Sequence, residues 1–366
     1  MYTRVLQALF DAGNTAPTRT QRAQGFAALV CYARHANTPM PPDAFEHRVT
    51  HLLRCGCDPN QPIPTATLAF WLDDAVGMET EEEEEEEQIL PLHLVLLQYR
   101  PQSMRLLGSE YTRVLLAAGA HPDAPCTWCM RAVHLAAHCG HDLEHLRLLL
   151  AAGADANAPA TFEGLRPLHM AAMLDAAHDG VRLLLAARAD AALTNAAGEP
   201  PLFCAVICSS TQVARLLLER APGTATAVNS SGQTPLHLAT TAAVARMLLQ
   251  AGADANAADY MWGRTPLMHA TALASGGLIS LLLEEGRADV NAVTRDGRSA
   301  LSFACRIASA TKARRLLAAG ADPDAIGVER RFVMAFALER ARALERRLAG
   351  RPMRLAGPRM LHHSFA

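Results

Sequence analysis

The residues that most invite chemistry lie close together: Cys126-Thr-Trp-Cys129, then His134, His138, Cys139 and His141. A Cys-x-x-Cys pair sets two thiolates on one turn, a spacing that suits tetrahedral zinc with imidazoles completing the set. The same pair is also a dithiol–disulfide candidate, but that use belongs with a strand–helix–strand context that is not legible here. Other chemistry has no signature. The chain carries no Gly-x-Gly-x-x-Gly or Gly-Lys-Ser/Thr phosphate loop, no Gly-x-Ser-x-Gly elbow, and no carboxylate pair outside regularly recurring aspartates.

The elements that hold these residues are repeats. One phrase recurs as Arg166-Pro-Leu-His-Met-Ala-Ala172, Gln233-Thr-Pro-Leu-His-Leu-Ala239 and Arg264-Thr-Pro-Leu-Met-His-Ala270. Weaker copies are Arg131-Ala-Val-His-Leu-Ala-Ala137, Pro200-Pro-Leu-Phe-Cys-Ala205, Ser299-Ala-Leu-Ser-Phe-Ala304 and Leu90-Pro-Leu-His-Leu-Val95. A second phrase follows, as in Arg147-Leu-Leu-Leu-Ala-Ala-Gly-Ala-Asp-Ala-Asn157, Met247-Leu-Leu-Gln-Ala-Gly-Ala-Asp-Ala-Asn256 and Leu281-Leu-Leu-Glu-Glu-Gly-Arg-Ala-Asp-Val-Asn291. The register residue before the histidine position runs Leu92, Val133, Leu168, Leu202, Leu236, Leu267, Leu301, in steps of 41, 35, 34, 34, 31 and 34.

Each phrase has a physical reading. Thr-Pro opens a short helix, with threonine capping orphan amides and proline at the first helical position. The alanines after it let a neighbouring helix approach closely. The Leu-Leu-Leu run is the core face of a second helix, which the following glycine ends in a left-handed cap. The Asp-x-Asn tail and a further glycine (Gly164, Gly198, Gly232, Gly263, Gly297) turn the chain into a hairpin. One unit cannot bury its apolar face alone, so units must stack.

In residue type, order and period these phrases resemble the ankyrin repeat. The resemblance implies an all-α solenoid of stacked helix-turn-helix units with protruding hairpins. It covers residues 90–325 as about seven units, with degenerate units over 1–60. It also implies that His134, like His93, His169 and His237, is structural and bonds neighbouring backbone, and that His141 is a turn residue. On that register no metal site and no cofactor are expected. The unit near Asn229 is three residues short between its helices, and Asp175-Ala-Ala-His-Asp-Gly180 replaces a tight turn.

Two segments depart from the repeat. An insertion over 61–89 carries Glu79 and Glu81 to Glu87, a like-charge run expected to form a solvated acidic loop. The segment 326–366 is arginine-rich, and Val333, Ala337, Ala341, Leu344 and Leu348 recur at helical spacing, which predicts a capping helix and tail.

Composition excludes several classes. Half the chain is apolar, too much for a disordered protein, and the net charge of −2 suits neither a nucleic-acid clamp nor an acidic mimic. No leader or membrane-spanning run is legible, and the nine cysteines lack a framework spacing, so the expected setting is intracellular, cytoplasmic or nuclear. The 34 positive charges include a single lysine, Lys312.

The expected function is therefore a non-catalytic scaffold, a monomer that binds another protein on the concave face lined by the hairpins. The candidate contacts are Trp128, Met130, Phe162, Glu163, Tyr260, Met261, Trp262, Arg264, Arg295 and Arg298. In a chain that is only 5% aromatic, rings gathered on hairpins stand out, because exposed aromatic anchors dominate binding energy. The alternative is a substrate-receptor adaptor of a ubiquitin ligase, with the C-terminal tail docking the ligase. Its tail lacks the Leu-Pro-Leu-Pro run of a SOCS box and the Leu-Pro-x-Glu start of an F-box.

Overall fold

The structure is a computed structural model that describes residues 2–10, 18–35, 40–64, 88–96, 108–126, 130–138, 143–160, 163–174, 178–273 and 276–323. The glutamate run of the insertion, the expected C-terminal helix, and Trp128, Cys129, Cys139, His141 and Phe162 lie outside the described residues. By packing the chain falls into two units, Met1–Ser230 and Ser231–Ala366. That division lies inside the 90–325 array. It falls just before the shortest first helix.

The first unit begins with α1 (Tyr2–Phe10), α2 (Arg19–His35) and α3 (Pro42–Arg54). It continues with four pairs: α4 (Pro91–Leu96) and α5 (Gly108–Ala117), α6 (Ala132–His138) and α7 (Leu143–Ala151), α8 (Pro167–Ala172) and α9 (His178–Ala186), α10 (Pro201–Ile207) and α11 (Thr211–Arg220). The second unit holds three: α12 (Pro235–Leu238) and α13 (Ala242–Gln250), α14 (Pro266–Leu273) and α15 (Gly276–Glu284), α16 (Ala300–Arg306) and α17 (Ala310–Ala318). The deletion near Asn229 thus shortens α12 to four residues. Within each unit first helices pack on first helices and second on second, α6 on α8 and α13 on α15 for example.

Residue size explains the spacing. Ala136, Ala137, Ala171, Ala172 and Ala304 on first helices are fully buried, so backbones approach closely. Leu146, Leu184, Leu217, Leu248, Leu282 and Leu316 on second helices fill the layer between neighbours. Such a leucine contributes roughly 1.5–3 kcal/mol by leaving water.

Capping is shared between the expected threonine and a histidine. Proline opens α8, α10 and α12, and at α12 Thr234 and His237 form a reciprocal capping box. The histidine half of it recurs along the array: Nδ1 of His134, His169 and His237 accepts the backbone N–H of Arg131, Arg166 and Thr234 at 3.1, 3.2 and 3.0 Å. Each ring thus satisfies the amide of the residue just before its helix.

The second helices end in left-handed residues. Gly119, Gly153, Gly252 and Gly320 sit at φ of +92°, +90°, +92° and +90°, but Arg188 and Arg287 occupy the same region at +65° and +51°. Gly286 is therefore not the cap that its place in the repeat suggests. The extra residue in Glu284-Glu-Gly-Arg287 moves the left-handed position on by one, and a Cβ on Gly286 would lie 2.7 Å from the carbonyl oxygen of Leu282. A left-handed non-glycine residue costs about 1 kcal/mol. Arg188→Gly is thus expected to raise the melting temperature slightly, and a fall would show that the arginine side chain contributes more than its backbone costs.

Asparagines tie neighbours together beyond helix packing. Asn157 Nδ2 donates to the carbonyl of Arg188 at 3.1 Å, and its Oδ1 accepts the amide of Asp190 at 2.8 Å. Asn291 repeats this with Gly320 and Asp322 at 3.2 and 2.8 Å. Asn60 does so with Gly119 and His121, at 2.9 and 2.6 Å, so the units on either side of the insertion stack directly. The insertion itself leaves and returns through a two-stranded antiparallel ladder, β1 (Ile63–Pro64) with β2 (Gln88–Ile89). Bridges Pro125–Arg131 and Val293–Ser299 mark the roots of two ordinary hairpins in the same way.

Candidate functional site

Of the cysteine–histidine cluster, His134 is taken up by the scaffold. Both ring nitrogens of His134 are committed: Nδ1 to the Arg131 amide, and Nε2 to the carbonyls of Ala158 and Leu165 at 3.0 and 3.2 Å. Cys126 is buried beside the hairpin root, and among the described residues no group of three or more His, Cys, Asp or Glu side chains is placed to hold a metal. The same ring recurs along the stack. His93, His169 and His237 pass Nε2–H to the carbonyls of Met130, Glu199 and Arg264 at 3.2, 2.9 and 3.0 Å. Burial pushes His93 and His169 down to about 4, against partly compensating carbonyl contacts, and lowers His134 and His237 too. In His134, His169 and His237 Nδ1 accepts and Nε2–H donates, the pattern of a neutral imidazole, while His93 Nδ1 is buried without a partner, so protonation would put a charge into the interior.

The hairpins are built by a polar residue at the start of each turn. Asn195 Oδ1 accepts the amides of Ala197 and Glu199 at 3.0 and 2.9 Å. Asp259 Oδ1 accepts those of Trp262 and Arg264 at 2.8 and 3.1 Å, and Oδ2 faces His269 Nε2 at 3.4 Å. Burial alone would raise the Asp259 carboxyl, yet these amides and His269 hold it below its usual value. Thr294 Oγ1 accepts the Arg298 amide at 2.9 Å and bonds Asp296. Sequence reasoning passed over these side chains, although an Asn, Asp or Thr stands three or four residues before Gly198, Gly263 and Gly297.

Successive hairpins are also bonded to one another. In the first unit Ala196 N–H donates to Glu163 O and Ser230 N–H to Ala197 O, both at 2.8 Å. In the second, Tyr260 N–H donates to Ser231 O and Arg295 N–H to Trp262 O, both at 2.9 Å. Close approach needs glycine: at Gly232 (φ +75°) a Cβ would lie 2.4 Å from Tyr260 Cγ and 2.6 Å from its backbone nitrogen.

A family profile for ankyrin repeats matches in three overlapping copies, at 105–195, 168–259 and 243–326, well over half the chain. The chain belongs to the ankyrin-repeat family. Comparison with curated proteins gives no match. Ankyrin repeats are protein–protein interaction modules. No helix among the described residues is long and apolar enough to cross a membrane.

The ankyrin hairpins in the second unit bring most of the expected contact residues together. Tyr260, Met261 and Trp262 are 58%, 63% and 47% exposed, large values for side chains of this size. The Arg264 guanidinium carbon lies 5.8 Å from the Trp262 ring and 5.4 Å from that of Phe303, and the Arg306 guanidinium carbon lies 5.8 Å from the same Phe303 ring. Arg295 is exposed and packs its stem near Gly263, while Arg298 Nε pairs with Asp296 at 2.7 Å. In the first unit, exposed Glu163 gives its carbonyl to the next hairpin. Half-buried Met130 gives its own to Cys126 N–H and His93, so its backbone is structural. Phe303 and Arg306 were missed by sequence reasoning, since nothing local to α16 announces a contact with the preceding hairpin.

Proposed function

We propose that this ankyrin array is a non-catalytic scaffold, working as a cytoplasmic monomer, that holds a partner protein on the hairpin face of its second unit. One observation carries the reading: Tyr260, Met261 and Trp262 stand exposed in sequence on a hairpin whose backbone is fixed by Asp259. A rigid loop presenting large side chains loses little entropy on binding, and aromatic anchors dominate interface energies. The cytoplasmic setting rests on composition alone.

The test is a photo-crosslinking residue at position 261, with the captured protein identified and then rebound as purified material. Trp262→Ala is expected to weaken that binding by roughly thirtyfold, the scale of a hot-spot residue at ~2 kcal/mol. The melting temperature should stay within a degree or two, because the Trp262 backbone, not its ring, makes the turn hydrogen bonds. Unchanged binding with a large fall in melting temperature would make the ring structural and remove the proposed site.

A further inference from the structure

We infer that the aromatic–guanidinium ladder Trp262–Arg264–Phe303–Arg306 is a recognition site for an acidic peptide segment of the partner. The inference deepens the hairpin-binding reading above and rests on it. Three features support it: preorganisation, unspent positive charge and covered ring faces.

Arg264 lies over two rings and Arg306 over one of them, at 5.4 to 5.8 Å. Such contacts hold a guanidinium in place while leaving its in-plane N–H donors available, and that fork matches the two oxygens of a carboxylate. Arg264 is half-buried and Arg306 exposed, so the rings hold both guanidiniums at the protein surface.

The local charge is unbalanced. Asp259 is occupied by two backbone amides and His269, and Asp296 pairs with Arg298. Among the described residues Arg264, Arg295 and Arg306 have no carboxylate within ion-pair distance. The hairpin that leads into Arg264 also exposes the large apolar side chains of Tyr260 and Met261. A segment that alternates Asp or Glu with large apolar residues complements both.

RNA, the competing polyanion, needs free aromatic faces for base stacking. Here Arg264 lies over the Trp262 ring and Phe303 is only 4% exposed, so the ladder's rings are engaged by a guanidinium or buried. The site therefore suits carboxylates with apolar side chains better than stacked bases.

The experiment uses the full chain and fluorescence anisotropy with three labelled probes. They are a peptide of about a dozen residues alternating Glu with Leu and Phe, the same peptide with Gln for Glu, and a single-stranded RNA of similar length. The acidic peptide should bind, more weakly as salt rises, and the Gln version should bind at least roughly tenfold less well, as expected for losing charge-assisted hydrogen bonds. Arg306→Gln, on an exposed side chain, should lower the affinity severalfold with an unchanged melting temperature. Arg264→Lys should do so as well, since it keeps the charge and loses the stacked fork. Arg182→Gln, in the first unit, should change nothing. Equal binding of both peptides, insensitivity to both arginine substitutions, or tighter binding of the RNA would each overturn the inference. If those results came with a specific protein still captured from position 261, the acidic-segment inference alone would fall. Loss of that capture would remove the hairpin reading with it.

Discussion

Acidification from pH 7 to 4.5 should strip this protein of a large part of its stability before most carboxylates titrate. His93 and His169 are held neutral in the stack, each pushed down from 6.5 to about 4, chiefly by burial. For a group whose folded value is depressed, the unfolded chain takes up the proton first as pH falls. Stability is thus complete above ~6.5, declines between ~6.5 and ~4, and loses nothing more from these groups below that. At ~1.4 kcal/mol per unit, a shift of this size makes each histidine responsible for about 3 kcal/mol across the window. His134, His237 and His269, lowered in the same direction, add to it. Urea midpoints at pH 7.5, 6, 5 and 4.5 read this directly. His169→Gln should start lower at pH 7.5 and lose less on acidification. A midpoint that is flat over this range, or an unaltered slope in His169→Gln, would contradict the assignment.

Gly232→Ala should be among the most damaging single-methyl substitutions in the chain. At φ +75° an L residue already costs about 1–2 kcal/mol. The new Cβ would also meet Tyr260 Cγ at 2.4 Å and Tyr260 N at 2.6 Å. The ring, being exposed, can swing away. The nitrogen cannot, because its N–H is bonded to Ser231 O at 2.9 Å. Breaking or bending that hairpin-to-hairpin bond brings the expected loss to roughly 3 kcal/mol. Gly297→Ala is the matched control: its φ is +71°, but nothing lies within 4 Å of a Cβ there. It should cost only the backbone part, about 1–2 kcal/mol. Equal losses for the two variants would mean that hairpin contact does not matter at Gly232.

The repeat was legible because its reasons are local. Alanine where helices approach, leucine triplets where they bury, and glycine where the chain turns left-handed all print at fixed spacing. The structural role of His134 followed from the same register. The arginines at 188 and 287 were not legible as caps, since a left-handed arginine looks like any other. Asp259 was hidden for a different reason. It sits among aspartates whose spacing is set by turns, and only the folded hairpin shows two amides and an imidazole converging on it. The ladder from Trp262 to Arg306 depends on side chains from separate repeats meeting in space, a relation that no window along the chain contains. Exposure of the Tyr260–Trp262 stretch, by contrast, was readable from its place on a hairpin.

The ladder that joins Ile63–Pro64 to Gln88–Ile89 lies where the chain departs from the repeat. Beside it, Asn60 reaches across to Gly119 and His121, so the neighbouring units are held in register there by side chain as well as by strand pairing. In engineering terms, ladder and asparagine are a splice: they keep the frame continuous at the point where its pattern is broken.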